Sequence, residues 1–378
     1  MKIGIFTMPF RFGYGGILQA YALQTVLKEF GNEVSVVQIQ QGHYTSPRGV
    51  KALAVYAKRI LFRILGLSKI TVFEEKRLNR EWPLLTSQVH QFVRDYIHLR
   101  EIKSFSELSE HDYDALVVGS DQVWRPAYCD VYEFYLNFAK NWKIKRIAYA
   151  ASFGSAEREY SDELIGNLRP LVEKFNAISV REDSGVDLCK DYFGIKAHFV
   201  LDPTLLLSRE KYELLIRNKG FDDNKGNLFV YVLDEDENKK KLVNIISDSL
   251  NLHPYSIKVC GDNRELPLEA RIQPSVETWL KSIADSNFVV TDSFHGCVFS
   301  IIFHKPFVVI ANAERGQSRF ESLLRLFHLE NRLLYDEKNL NILIRQKIDW
   351  SVVDKDLKNL QKKSCDYISF ALHEGTFI

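Results

Sequence analysis

The sequence predicts an α/β chain folded as two parallel-sheet domains. Short runs rich in apolar and β-branched residues alternate with stretches of helical periodicity over most of its length, and such alternation produces βαβ units with parallel strands. At 378 residues the chain exceeds what one core usually holds, and 46% hydrophobic residues suffice for two. Polar or glycine-rich turns stand at the carboxyl ends of several runs, where open α/β sheets bind ligands. These features point to two Rossmann-like domains, 1–203 and 204–349, followed by a helix within 350–378 that packs back on the first domain.

In chain order, the first expected strand is Ile3 to Thr7, and so few apolar residues precede Pro9 that no signal peptide is expected. Leu23, Val26, Leu27 and Phe30, at i, i+3, i+4 and i+7, mark a helix that Gly31 stops as a C-terminal cap. Further strands are expected at Val34 to Ile39, Ala115 to Val118, Arg146 to Ala150, Ala177 to Val180 and His198 to Leu201. The turn Asp202-Pro203-Thr204 marks the domain boundary. Beyond it come Leu228 to Leu233, Ser256 to Val259, Phe288 to Thr291 and Phe307 to Ile310. Helices are expected over Asp162 to Phe175, Asp183 to Tyr192, Lys239 to Leu250, Val276 to Ala284, Cys297 to His304, Ser318 to Phe327 and Leu357 to Leu372.

Residues 41–108 break the rhythm with helical patterns and no strand, as an insertion in the first domain would. No acidic residue lies between Glu33 and Glu74, whereas Arg48, Lys51, Lys58, Arg59, Arg63 and Lys69 supply six cations. On a helical wheel Lys51, Lys58, Arg59 and Arg63 share one face, and Leu53, Ala57, Ile60, Leu61 and Ile64 the opposite one. A helix of this kind either lies on an anionic membrane, which would make 48–69 a peripheral contact, or packs its apolar face on the domain with its cations solvated.

Composition excludes several classes. Lys plus Arg number 50 against 49 Asp plus Glu, so no global field attracts nucleic acid, which is not expected as a partner. Cys129, Cys189, Cys260, Cys297 and Cys365 are odd in number and form no Cys-x-x-Cys pair. Neither a disulfide framework nor a zinc site is expected, and a reducing cytoplasm fits. No run approaches the ~20 apolar residues of a membrane span.

Five turns carry candidate chemistry. The strand ending at Thr291 runs straight into Asp292-Ser293-Phe294-His295-Gly296 and a helix, which brings an imidazole and free backbone N–H groups to a sheet edge. Histidine is the side chain suited to proton transfer near neutrality; the alternative is a spectator beside a helix cap formed by Asp292 or Ser293. Gly13-Tyr14-Gly15-Gly16-Ile17-Leu18-Gln19 lets backbone approach a ligand at a helix start, without the G-x-G-x-x-G spacing of dinucleotide binders. Gly119-Ser120-Asp121 follows a strand, and Arg181 ends another. Arg315 and Arg319 flank a helix entrance, where their forks would suit a phosphate or carboxylate.

Taken in order, Gly15-Gly16-Ile17-Leu18-Gln19-Ala20-Tyr21, Val118-Gly119-Ser120-Asp121-Gln122-Val123-Trp124, Ser179-Val180-Arg181-Glu182-Asp183, Leu201-Asp202-Pro203-Thr204 and Thr291-Asp292-Ser293-Phe294-His295-Gly296 resemble the polysaccharide pyruvyl transferases over nearly the whole chain. The resemblance implies a cytoplasmic bacterial enzyme of surface-polysaccharide assembly, at work near the inner face of the plasma membrane. It implies a GT-B-like pair of domains with the active site between them, phosphoenolpyruvate as donor, and a sugar acceptor, free or linked to polyprenyl diphosphate, that receives a pyruvate ketal. It makes His295 the acid/base group and Arg181 a donor-binding arginine, and it places Asp121 in the catalytic loop. Ser120, Ser293, Gly15 and Gly16 then join Arg315 and Arg319 around the substrates. Many relatives carry arginine where Ser293 stands, so Arg315 or Arg319 is expected to replace that cation. No metal or redox cofactor is called for. A sugar-nucleotide glycosyltransferase, or a homologue that binds glycan or lipid without catalysis, fits the same architecture.

Overall fold

A computed structural model describes residues 1–10, 13–40, 47, 50–66, 71–217, 226–257, 263, 265–311, 316–338 and 340–373. The first lobe begins with β1 (Lys2–Phe6), α1 (Tyr14–Glu29), β2 (Glu33–Ile39), α2 (Val50–Ile64), α3 (Glu74–Leu85), α4 (Ser87–Tyr96) and β3 (Leu99–Ile102). It continues through β4 (Ala115–Val118), the single turn α5 (Val131–Phe134), β5 (Lys145–Ala151), α6 (Asp162–Val172), β6 (Ala177–Val180), α7 (Asp183–Phe193) and β7 (His198–Phe199). Its seven strands lie in the order β3-β2-β1-β4-β5-β6-β7, each pair parallel. Strands buried on both faces explain the unbroken apolar runs, such as Ala115 to Val118, all buried.

A 3₁₀ turn at Pro203–Leu206 leads to α8 (Arg209–Ile216) and the second lobe. There β8 (Leu228–Tyr231), α9 (Glu237–Leu250), β9 (Pro254–Tyr255), α10 (Val276–Asp285), β10 (Phe288–Thr291), α11 (Phe294–Ile302), β11 (Phe307–Ile310), α12 (Gln317–Arg325), β12 (Leu333–Leu334) and the short α13 (Leu340–Leu343) follow in turn. The parallel sheet runs β12-β11-β10-β8-β9. Helix α14 (Trp350–His373) then returns to the first sheet: Ser364 accepts the Leu201 amide at 3.0 Å, Lys145 reaches the Leu372 carbonyl at 2.5 Å, and Tyr367 lies 6.5 Å from the Tyr149 ring.

In each sheet the connection changes direction once. The first winds outward from β1 through β2 to β3 and then restarts at β4; the second steps from β8 to β9 and restarts at β10. Crevices open at such switch points, outside the strand carboxyl ends. One apolar cluster joins the lobes, running from Ile3, Ile17 and Leu23 to Trp279, Phe299 and Ala371. Across the junction Tyr14 donates to the Pro274 carbonyl at 2.8 Å and stacks on Trp279 with ring centres 5.4 Å apart.

Three differences from expectation have local causes. Strand β3 lies within the stretch read as strandless, because Leu99-Arg100-Glu101-Ile102 pairs along one edge only and needs no apolar run. Helix α11 starts at Phe294 rather than Cys297: the Ser293 hydroxyl accepts the Gly296 amide at 3.4 Å, which takes His295 and Gly296 into the first turn. The strand expected over Ser256 to Val259 lies earlier, at Pro254–Tyr255, and residues 258–259 fall outside those described.

Candidate active site

The two switch points face each other across a cavity of about 370 Å³. Gly13, Tyr14, Gly15, Gly16 and Asp121 line it from the first sheet, and Tyr231, Asp292, Ser293, His295 and Arg319 from the second lobe. Two helices begin there. Gly13 caps α1 without a side-chain hydrogen bond, and no acidic residue stands in the first turn, so the amides of that turn are donors aimed at the cavity.

His295 occupies the centre of this arrangement. Its ring lies against the Gly15 backbone so closely that a Cβ at position 15 would fall 2.0 Å from Nδ1. Its Nε2 is buried without a hydrogen-bond partner among the described residues and lies 3.8 Å from Oδ2 of Asp202. Burial pushes the imidazole below its ordinary value; the Asp202 carboxylate opposes this, and the Arg181 charge adds to it. At neutral pH the ring is therefore mostly neutral.

Behind His295 lies an ionic network centred on the buried pair Arg181 and Asp202, with Asp121 at its cavity edge. Arg181 donates from one terminal nitrogen to Asp202 at 2.6 Å and Ser120 at 3.1 Å, and from the other to Asp121 at 3.3 Å. Ser120 in turn donates to Asp202 at 3.2 Å, and the second Asp202 oxygen accepts the Thr204 amide at 3.0 Å and hydroxyl at 2.5 Å. Burial acts to raise the Asp202 carboxyl, yet Arg181 and His295 hold it below the usual carboxylate range. Gln19 braces the same loop by accepting the Ser120 amide at 2.9 Å and donating to the Gly16 carbonyl at 2.8 Å. Asp121 sits at φ 77°, a left-handed conformation costing of order 1–3 kcal/mol, and its own side chain accepts the Gln122 amide at 2.9 Å. The peptide between Gly119 and Ser120 is cis, and a Cβ on Gly119 would meet the Tyr149 carbonyl at 2.2 Å.

Among the described residues, Arg319, from the first turn of α12, is a cation that reaches the cavity wall. The guanidiniums of Arg319 and Arg181 lie 5.6 and 4.8 Å from the Phe294 ring centre, within cation–π range. Burial, and then the charge of Arg181, push Arg319 down to about 10, so it stays charged at neutral pH.

The sequence profile of the polysaccharide pyruvyl transferases matches residues 14–314, well over half of the chain. The chain belongs to that family. No curated protein matches it. Among solved structures, a UDP-GlcNAc 2-epimerase from Methanocaldococcus jannaschii is similar at 14% identity and TM-score 0.49, over 96% of this chain and 99% of that one. A UDP-GlcNAc 2-epimerase from Neisseria meningitidis, bound to UDP-GlcNAc, is similar at 11% identity and TM-score 0.48, over 98% of this chain and 97% of that one. The heptosyltransferase WaaC of E. coli with ADP is similar at 11% identity and TM-score 0.38, over 95% and 100%.

Within this pyruvyl transferase fold, the two facing α/β lobes and the returning α14 make a GT-B-like arrangement. Of the residues named from sequence, His295, Asp121, Arg319, Ser293, Gly15 and Gly16 meet at the cavity. Arg181 and Ser120 do not line it: the arginine fork expected for the donor is spent on Asp202, Asp121 and Ser120, and the Ser120 hydroxyl is spent on Asp202. Ser293, rather than Asp292, caps α11. Asp292 instead accepts the Leu233 amide at 2.7 Å, the Asp234 amide at 3.3 Å and Lys239 Nζ at 2.8 Å. Arg315 lies outside the described residues. Sequence reasoning missed Asp202 as part of the site. Its turn, Asp-Pro-Thr after a strand, reads as the domain boundary; one Asp202 oxygen accepts from Thr204, and nothing in the pattern showed that the other faces Arg181 and His295.

Proposed function

We propose that the chain transfers the pyruvyl group of phosphoenolpyruvate to two hydroxyls of one sugar as a cyclic ketal, releasing inorganic phosphate, in the assembly of a bacterial surface polysaccharide. The observation that carries this reading is the buried, hydrogen-bond-free Nε2 of His295 beside Asp202, in a cavity that also holds Arg319 and the uncapped start of α1. Phosphoenolpyruvate brings a phosphate and a carboxylate close together, and Arg319 with the α1 amides suits one such anion each. Arg181 contributes its positive field from behind rather than its fork.

The steps follow from these positions. Burial depresses His295 most, with Arg181 and Arg319 adding to it; an anionic donor offsets the cationic part and draws the imidazole upward, which favours its protonated form as the donor binds. Imidazolium protonates the donor methylene carbon; the adjacent carbon becomes electrophilic, one sugar hydroxyl adds to it, and Asp121 takes that hydroxyl's proton. Phosphate then leaves with the C–O electron pair and takes the proton from Asp121. The second hydroxyl closes the ring and returns its proton to His295. Asp121 is preferred to Asp292 here because both Asp292 oxygens are engaged, by Lys239 and two amides, whereas Arg181 and the Gln122 amide both bond Oδ1 of Asp121.

Incubation with phosphoenolpyruvate and a panel of free and polyprenyl-diphosphate-linked glycosides, read by mass spectrometry, tests the proposal. A gain of about 70 mass units with stoichiometric phosphate release is expected from the ketal chemistry. Hydrolysis of the donor without acceptor gain, or transfer from a sugar nucleotide, would overturn it. Arg319→Ala should raise the donor KM, and adding Ser293→Arg should recover part of the loss; simple additivity of the two changes would remove Arg319 from the donor site.

A further inference from the structure

The acid-free stretch between Glu33 and Glu74 holds a helix whose apolar side is left largely exposed by the described residues. Helix α2 is fastened to the body along one side. Arg59 bonds Glu75 at 2.6 Å and the Val72 carbonyl at 3.1 Å, and Tyr56 meets the Phe73 ring edge-on at 5.2 Å. Arg59 is thus an internal tie rather than a solvated cation. The expectation that the apolar face packs on the domain is not met: Leu53 is 74% exposed, Ile60 46%, Leu61 54% and Ile64 76%. Leu53, Ala57, Ile60 and Ile64 lie at i, i+4, i+7 and i+11, which makes one outward stripe. At about 100° per residue, Arg63 falls about 90° to one side of the centre of that stripe and Lys58 about 130° to the other, so both stand at the borders of the polar face, from which long side chains reach back along the stripe, and both are exposed.

A contiguous apolar stripe exposed on a folded surface marks a contact with something else. We propose that α2 docks on an anionic lipid bilayer, with Leu53, Ile60, Leu61 and Ile64 in the headgroup–acyl boundary and Lys58 and Arg63 against lipid phosphates. Charge selects this occupant. Apposing two copies of the stripe about a two-fold axis would bring Lys58 and Arg63 near their own images, whereas an anionic surface complements both flanks. Length agrees. Fifteen helical residues reach roughly 22 Å, short of the ~30 Å hydrocarbon core, and a cation on each flank favours lying in the interface over crossing it. The proposal stands whether or not the chain is a pyruvyl transferase.

The test is sedimentation of the full chain with vesicles of phosphatidylcholine alone or mixed with phosphatidylglycerol, at low and physiological salt. Wild type should partition onto the mixed vesicles, less so at the higher salt. Lys58→Gln with Arg63→Gln should lower partitioning by at least about tenfold. Leu53→Ser with Ile60→Ser and Ile64→Ser should do the same, with thermal midpoints little changed because Leu53 and Ile64 are about three-quarters exposed and Ile60 nearly half. Equal partitioning of wild type and both variants overturns the proposal, as does failure of wild type to bind. So does a wild-type dimer in analytical ultracentrifugation that the Ser variant dissociates, since that would give the stripe to a second copy.

Discussion

Gly15 and His295 compete for one small volume, and the absence of a side chain at position 15 decides the position of the ring. Gly15→Ala should therefore displace the imidazole and cut turnover by about a hundredfold or more, close to the loss for His295→Gln, while urea unfolding stays near wild type. A fully active Gly15→Ala enzyme would show that the ring has freedom the packing denies. The depressed imidazole gives a second expectation. Because burial holds the ring below its ordinary value and an anionic donor would draw it upward, donor binding should take up a proton, seen as a binding enthalpy that varies with the ionisation enthalpy of the buffer. His295→Gln should abolish that dependence. At this scale the sequence was legible for position and not for direction. Strand ends placed His295 at the carboxyl edge of one sheet and Asp121 and Arg181 at that of the other, but whether a guanidinium turns to solvent or inward depends on Asp202, about twenty residues downstream in another turn.

At the scale of elements, the site depends on the turns after β1, β4, β6, β7 and β10 converging on one ion network. Asp202→Asn removes the closest counter-charge of the buried Arg181 and should cost about 3 kcal/mol in urea unfolding. It should also lower His295 further, since Asp202 is the anion that draws it upward, and NMR titration of the ring would show this. An unchanged imidazole titration would mean that the 3.8 Å separation carries no coupling. Central strands such as β4, β6, β10 and β11 were readable to the residue because burial on both faces demands an unbroken apolar run. Edge strands were not. Arg100 and Glu101 in β3 satisfy one ladder and face solvent, and Leu333–Leu334 is too short for any period. Helix α2 showed its amphipathic pattern in full, yet the pattern could not say that Arg59 would pair with Glu75 and leave the stripe outward.

For the whole molecule, stability should fall in two steps on acidification. Burial pushes His90, His198 and His295 below the ordinary imidazole value, so the folded chain resists protons that the unfolded chain accepts. Stability present above the unfolded value of ~6.5 is thus lost as pH falls from about 7 towards 5. Glu74, held near 2 by Arg77 and Thr71 against the opposing effect of burial, and Asp202, also held low, add a second loss below about 4. Thermal midpoints measured from pH 8 to 3 should trace both, and a flat profile between 7 and 5 would sink the first. The return of α14 to Tyr149 and Lys145 has a different consequence. The second lobe is inserted, topologically, into the first, so a ribosome must deliver all of β8 to β12 before the helix that completes the first lobe exists. Until then the apolar surface that Tyr367, Ile368, Ala371 and Leu372 will cover is bare. Nascent chains halted before Trp350 should accordingly hold a protease-resistant second lobe beside a first lobe that is still open to digestion and chaperones.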